Sequence, residues 1–167
     1  MKALVVYESL FGNTAAVAKA VAEGIGAGTP AVTTDAVPDK LLAEADLVVA
    51  GAPVIGFSLA SDGTLANVAN TEAGAPTPPD ASHPSMRSWL ERLPATTRAV
   101  GAAFETRIWW SPRGATGDIE DRLRRAGYRT LAKAGKFVVK DKYGPLREGE
   151  LDRAREWGRS LASVIAS

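Results

Sequence analysis

Ala3-Leu4-Val5-Val6-Tyr7-Glu8-Ser9-Leu10-Phe11-Gly12-Asn13-Thr14 is the stretch whose reading decides the fold. Residues 3 to 7 form a short apolar run with the β-branched content of a buried strand. Residues 8 to 14 are a polar turn, and the alanine-rich stretch after them repeats Val17, Val21 and Ile25 at helical spacing. Strand, tight turn and helix in that order aim backbone N–H groups, hydroxyls and the positive end of a helix dipole at one point, where a phosphate dianion can be held. A plain strand-to-helix junction favours the same Gly, Asn and Thr, so the turn needs support from the rest of the chain.

Outward from this turn the alternation repeats. Ala31 to Thr34, Leu47 to Ala50, Arg98 to Phe104 and Lys136 to Lys140 read as further strands. Helical patterns fall at Pro38 to Ala45, with Pro38 at the first helical position, at Met86, Trp89, Leu90 and Leu93, at Ile119, Leu123 and Ala126, and at Leu151, Ala154, Leu161 and Ile165. Five strands alternating with five helical segments predict a parallel sheet with helices on both faces. Residues 58 to 84 are rich in Gly, Pro, Ala, Ser and Thr without sustained periodicity. They read as a long loop, an insertion or lid, with His83 in solvent.

Composition narrows the chemistry. A chain of 167 residues with 46% hydrophobic and 23% charged content suits one soluble domain, expected in the cytoplasm because neither a membrane-length apolar run nor a leader is read in it. With no Cys there is no disulfide and no thiol redox chemistry, and a lone His argues against a metal site, so any redox function needs a bound cofactor. The N-terminal half is acidic and the C-terminal half basic, which reads as two solvated faces or as a docking surface for an anionic partner. The cluster from Arg122 to Arg129 lacks interleaved aromatics and reads as a solvated helix face rather than a nucleic-acid site.

In open parallel sheets ligands bind outside the carboxyl ends of the strands. Three stretches with unusual chemistry leave those ends: Ser9 to Thr14, Pro53 to Phe57, and Glu105 to Trp110. With these in place, the chain resembles the flavodoxin-like family over nearly its whole length. The resemblance implies one domain over residues 1–167, a three-layer α/β/α sandwich around a five-stranded parallel sheet in the order 2-1-3-4-5, and FMN as the cofactor.

Ser9-Leu10-Phe11-Gly12-Asn13-Thr14 is similar to the family's Thr/Ser-x-Thr-Gly-x-Thr phosphate loop, with Phe11 standing where a Thr is usual. The resemblance implies Ser9, Asn13 and Thr14 as polar phosphate ligands and Gly12 as the point of close backbone approach. It also implies a first flavin loop at Pro53, Val54, Gly56 and Phe57, with the Gly56 peptide near flavin N5 and the Phe57 ring on the isoalloxazine. The other reading of this loop is a simple chain reversal with Phe57 capping the core. The second flavin loop would comprise Glu105, Thr106, Arg107, Trp109 and Trp110. Adjacent tryptophans in an extended stretch point to opposite faces, so one of them is expected to be exposed or to cover a ligand. Arg107 either makes the flavin potential less negative by Coulomb attraction or pairs with Glu105.

Electron transfer with a redox partner protein is the function this resemblance implies. The alternatives are an NAD(P)H- or quinone-linked oxidoreductase of the same fold, with residues 58 to 84 shaping a substrate site, and a flavin-free interaction domain. Neither a nucleic-acid partner nor a membrane span is expected.

Overall fold

The computed structural model describes residues 1–130 and 132–167. Its strands are β1 (Ala3–Tyr7), β2 (Ala31–Thr33), β3 (Leu47–Ile55), β4 (Ser58–Leu59), β5 (Val100–Ile108), β6 (Arg129–Thr130) and β7 (Gly135–Val139). Its helices are α1 (Asn13–Ile25), α2 (Asp39–Glu44), α3 (Asp62–Thr71), α4 (Met86–Glu91), α5 (Thr116–Arg125) and α6 (Glu150–Ala166).

β1 lies between β2 and β3, and β3 pairs with β5, all in parallel. The two ends of β5 take different partners: Val100 and Gly101 pair with β6, while Phe104 to Ile108 pair with β7. The expected order 2-1-3-4-5 therefore stands with β5 in the fourth position and β6 and β7 sharing the fifth. One strand was expected there, at Lys136 to Lys140. A single apolar run, Phe137-Val138-Val139, marks β7, whereas the two-residue β6 carries no such pattern. β4 adds an antiparallel tag on the end of β3.

The alternation within β1 sends its side chains to two cores. Leu4 and Val6 join Val48, Ala50, Leu42, Trp89, Leu90, Ile119 and Leu123 on the face covered by α2, α4 and α5. Ala3 and Val5 join Val49, Val17, Val21, Phe104, Phe137, Ala154 and Leu161 on the face covered by α1 and α6. Both sheet faces are buried, which is why the parallel strands read as continuous apolar runs.

Several boundaries differ from expectation. β3 continues through Pro53 and Val54 to Ile55, and β5 runs through Glu105, Thr106 and Arg107 to Ile108, because each strand supplies the other's ladder as far as Pro53 opposite Thr106. The segment 58 to 84 is not loop throughout: the Ser61 hydroxyl accepts from the Thr64 N–H and starts α3. Pro38 sits at the N-cap of α2, one position before the helix.

α1 and α6 approach closely through two glycines. A methyl group at Gly24 would lie 2.0 Å from the Arg155 carbonyl oxygen, and one at Gly158 would lie 2.3 Å from that of Val21. We expect Gly24→Ala and Gly158→Ala each to force the helices apart at a cost of about 1–3 kcal/mol, read as a lower urea midpoint at unchanged slope.

Candidate functional site

The carboxyl ends of β1, β3, β5 and β7 lie along one edge of the sheet because those strands are parallel. At the first of them, Gly12 is the N-cap of α1 with a left-handed φ of 92°. A Cβ there would meet nothing within 4 Å, so the backbone is open to a ligand. α1 has no side-chain cap and no acidic residue in its first turn. The Ala15 N–H donates to Ser9 Oγ at 3.2 Å and the Ala16 N–H to the Gly12 carbonyl, but those of Asn13 and Thr14 have no acceptor among the described residues.

The polar side chains of this loop have internal partners. Thr14 and Thr106 share a buried hydroxyl–hydroxyl hydrogen bond of 2.8 Å, which ties the loop to β5. Asn13 Nδ2 donates to the Tyr143 carbonyl at 3.1 Å, from the connection between β7 and α6. Leu10 and Phe11 pack with Ile55, Ala60, Leu65 and Val68 in a small cluster beneath α3. The Phe11 ring also meets Tyr143 edge-on at 5.0 Å, and the Tyr143 hydroxyl and Lys142 ammonium both reach Glu72 just past α3. The 58–84 excursion and the 141–145 connection thus meet beside the loop.

At the end of β3, Gly56 and Phe57 form a two-residue hairpin turn, with Ile55 paired to Ser58. Both turn residues have positive φ, 57° and 63°. A hairpin with the right-handed strand twist asks for this, and Gly supplies it freely, whereas a bulky aromatic at the second position carries strain of about 1 kcal/mol or more. The strained Phe57 ring stands edge-to-face with Trp110 at 5.8 Å. Trp109 and Trp110 are 67% and 54% exposed, so neither is a core residue. Pro53 and Val54 stay in β3, half-buried, with Val54 packed against the α4/α5 core.

After β5 the expected loop chemistry has moved inside. Glu105 is fully buried, and its Oε1 accepts the N–H groups of Ala115 (3.1 Å) and Thr116 (3.0 Å) where α5 begins. Its Oε2 is 3.2 Å from Arg107, whose guanidinium also donates to the Ser111 carbonyl. Of the two expectations for Arg107, the geometry has the pair with Glu105.

A second buried carboxylate precedes the first loop. Glu8 is fully buried; its Oε1 accepts the Met86 N–H at 2.8 Å, and its Oε2 has no partner among the described residues. Burial pushes its carboxyl up to about 7, against lowering by the Met86 N–H and by His83, with Asp62 adding to the rise. His83, expected in solvent, is buried with Nε2 3.1 Å from the Ser9 carbonyl oxygen. Its burial comes from the 80–86 segment folding back, as the Asp80 N–H donates to the Leu10 carbonyl and the Thr34 hydroxyl to that of Pro84.

Solved structures resemble this arrangement over almost the entire chain. A flavodoxin from the domain Archaea superposes at a TM-score of 0.66 with 20% identity, covering 100% of both chains. The fold is flavodoxin-like. A flavodoxin, WrbA-like protein from Agrobacterium tumefaciens gives 0.64 at 18% identity, covering 98% of this chain and 96% of its own. The Flv1 flavodiiron core from Synechocystis gives 0.66 at 18% identity, covering 98% of this chain but 36% of its own. No family model matches the sequence, and no curated protein is similar to it.

On this flavodoxin-like frame, sequence reasoning missed three contributors to the edge: Glu8, His83 and Tyr143. Each acts through a contact far away in sequence, for which no local spacing is diagnostic. α3 did leave a signal, in the Ser61 cap followed by Asp62 and by Leu65 and Val68 at helical spacing. Glu105 is tested by truncation. Glu105→Ala leaves Arg107 unpaired and two N–H groups orphaned, and we expect a loss of about 3–5 kcal/mol in urea unfolding.

Proposed function

We propose that the protein binds FMN at this sheet edge and passes electrons to or from a partner protein. The observation that carries the reading is one juxtaposition. An uncapped α1 N-terminus behind the open Gly12 shares the edge with the Phe57–Trp110 aromatic pair. The likeness of the fold to solved flavodoxins supports it. The residues present fit the cofactor: a helix start with free N–H groups and no nearby carboxylate in its first turn suits a phosphate, and aromatic rings suit a flat heterocycle.

In this reading the N–H groups of Gly12, Asn13 and Thr14 hold the phosphate. The Ser9 hydroxyl, whose oxygen already accepts from Ala15, keeps its own hydrogen to donate. The loss of a hydroxyl at Phe11 matters less than it does in a hydroxyl-lined loop, because Phe11 packs the loop down while the backbone binds. Phe57 and Trp110 flank the ring, and the Gly56 peptide offers polar atoms at its edge. Bound FMN supplies the electron-accepting chemistry, and the chain supplies position and electrostatics. The Arg107–Glu105 pair keeps the local charge near neutral rather than acidic. Trp109, the most exposed ring, marks the rim where a partner reaches the cofactor.

Titration of the purified protein into FMN, followed by flavin fluorescence, tests this directly. Quenching with micromolar or tighter affinity is expected, and protein that is colourless and leaves the fluorescence unchanged would overturn the proposal. Gly12→Val should weaken binding by at least about tenfold, since a β-branched residue at positive φ distorts the loop. Phe57→Asn should also weaken binding while leaving the unfolding free energy unchanged or up to about 1 kcal/mol higher, because Asn tolerates the left-handed turn. Reduction by NADPH alone, or only with a quinone present, would instead favour the oxidoreductase reading.

A further inference from the structure

We infer that Glu8 is a proton-linked positioning residue for the Ser9–Thr14 loop, holding that loop against the 83–86 segment when neutral and releasing it when ionised. The inference rests on the FMN reading for its ligand, but the brace itself is a property of the chain.

Glu8 is the last residue before the loop, and its backbone is fixed by the bond from its N–H to the Gly51 carbonyl. Its side chain turns inward to the Met86 N–H, so one carboxyl group joins the end of β1 to the start of α4. The same segment is held at three further points: His83 Nε2 on the Ser9 carbonyl at 3.1 Å, Pro84 under Thr34, and the Ser85 N–H on Asp62 at 2.8 Å. Asp80 adds a backbone bond to Leu10. Movement of the 80–86 segment is thereby transmitted to Ser9 and Leu10, and through the Ser9 hydroxyl to the first turn of α1.

The carboxyl has one satisfied and one unsatisfied oxygen, both inside the protein. As a neutral acid this is tolerable; as an anion it leaves buried charge without a second donor, which is strongly unfavourable. Opening the segment to admit water relieves the anion. The charged and titratable groups around Glu8 are His83, on the 80–86 segment, and Asp62, at the start of α3, while Asp80 faces both His83 and Tyr7. Met86 offers only its N–H. An FMN phosphate at the loop would add negative charge nearby and oppose ionisation further.

The direction follows from linkage. Because the folded carboxyl holds its proton up to about 7 where an ordinary Glu releases it near 4.5, folded protein keeps a proton that unfolded protein has lost. Stability therefore falls as pH rises through that window, and the loss is complete above it. Loop order and phosphate affinity should fall in the upper part of the same window.

The test compares wild type with Glu8→Gln at about pH 6 and about pH 8. Hydrogen exchange of residues 8–14 and 80–86, measured by mass spectrometry without flavin, should be faster in wild type than in the variant at the higher pH and nearly equal at the lower. Chemical exchange rates are common to both proteins and cancel. FMN affinity should drop about tenfold more in wild type than in Glu8→Gln over the same range, as release of one proton allows. Equal exchange and equal pH dependence in the two proteins would overturn the inference. Should no FMN bind at any pH while the exchange difference persists, the flavin reading falls and the brace stands. If Glu8→Gln does not fold, His83→Asn provides the control: a pH step retained in that variant supports Glu8 as its source, and a step abolished there assigns it to His83 and overturns the proposal.

Discussion

The pairing of β3 with β5 is the constraint on which the rest of the structure depends. The two strands run together over seven residue pairs, from Leu47 opposite Val100 to Pro53 opposite Thr106. Phe104 fills the space that a side chain at Gly51 would occupy, since a Cβ there would lie 2.0 Å from its ring. That interlock lets both strands extend further than their apolar runs suggest. It carries Glu105 and Thr106 into the interior and delivers the Phe57 turn and the two tryptophans to the same edge. Phe104 continues the packing through Phe137 and Trp157, which lie edge-to-face around it and seat β7 and α6.

Two fully buried carboxylates then perform similar work at the ends of neighbouring elements. Glu105 binds the N–H groups that open α5, and Glu8 binds the N–H of the first residue of α4. Glu105 stands in for the local cap that α5 lacks, and Glu8 adds a long-range acceptor to the Ser85 cap of α4, so each helix start is positioned by the strand that ends beside it. Their difference lies in how completely they are satisfied. Glu105 has three donors, including a guanidinium, whereas Glu8 has one, and burial with so little compensation raises its proton affinity. The start of α1, on the opposite face of the sheet from these two helices, has no side-chain cap. Its Asn13 and Thr14 N–H groups lack the buried carboxyl acceptors that open α4 and α5.

The 58–84 excursion links these parts. α3 covers Leu10 and Phe11, its end meets Tyr143 through Glu72, and the chain after it returns through Asp80 and His83 to the first loop. A loop closed on both sides in this way, with Asn13 and Thr14 tied to its walls, keeps its backbone in a left-handed turn at Gly12. Phe11, a loss when counted as a missing hydroxyl, becomes an anchor when its apolar neighbours are counted.

By itself the sequence determined the layer architecture: the alternation of apolar runs with helical periodicity, both local properties of consecutive residues, was enough to predict a parallel sheet with helices on both faces, while the order of its main strands came from the resemblance to the flavodoxin-like family. It also marked Gly12 and Gly56 as turn residues, because glycine is a local signature of chain reversal, whereas the positive φ of Phe57 appeared only in the folded chain. Only the tertiary structure decided what the polar side chains do. Ser9, Asn13 and Thr14 turn to partners within the protein, Arg107 is taken by Glu105, and His83 is buried on Ser9. Those outcomes depend on hydrogen bonds between residues up to 130 positions apart, and a side chain's choice between ligand, solvent and a distant backbone group is set by geometry that exists only once the chain has folded.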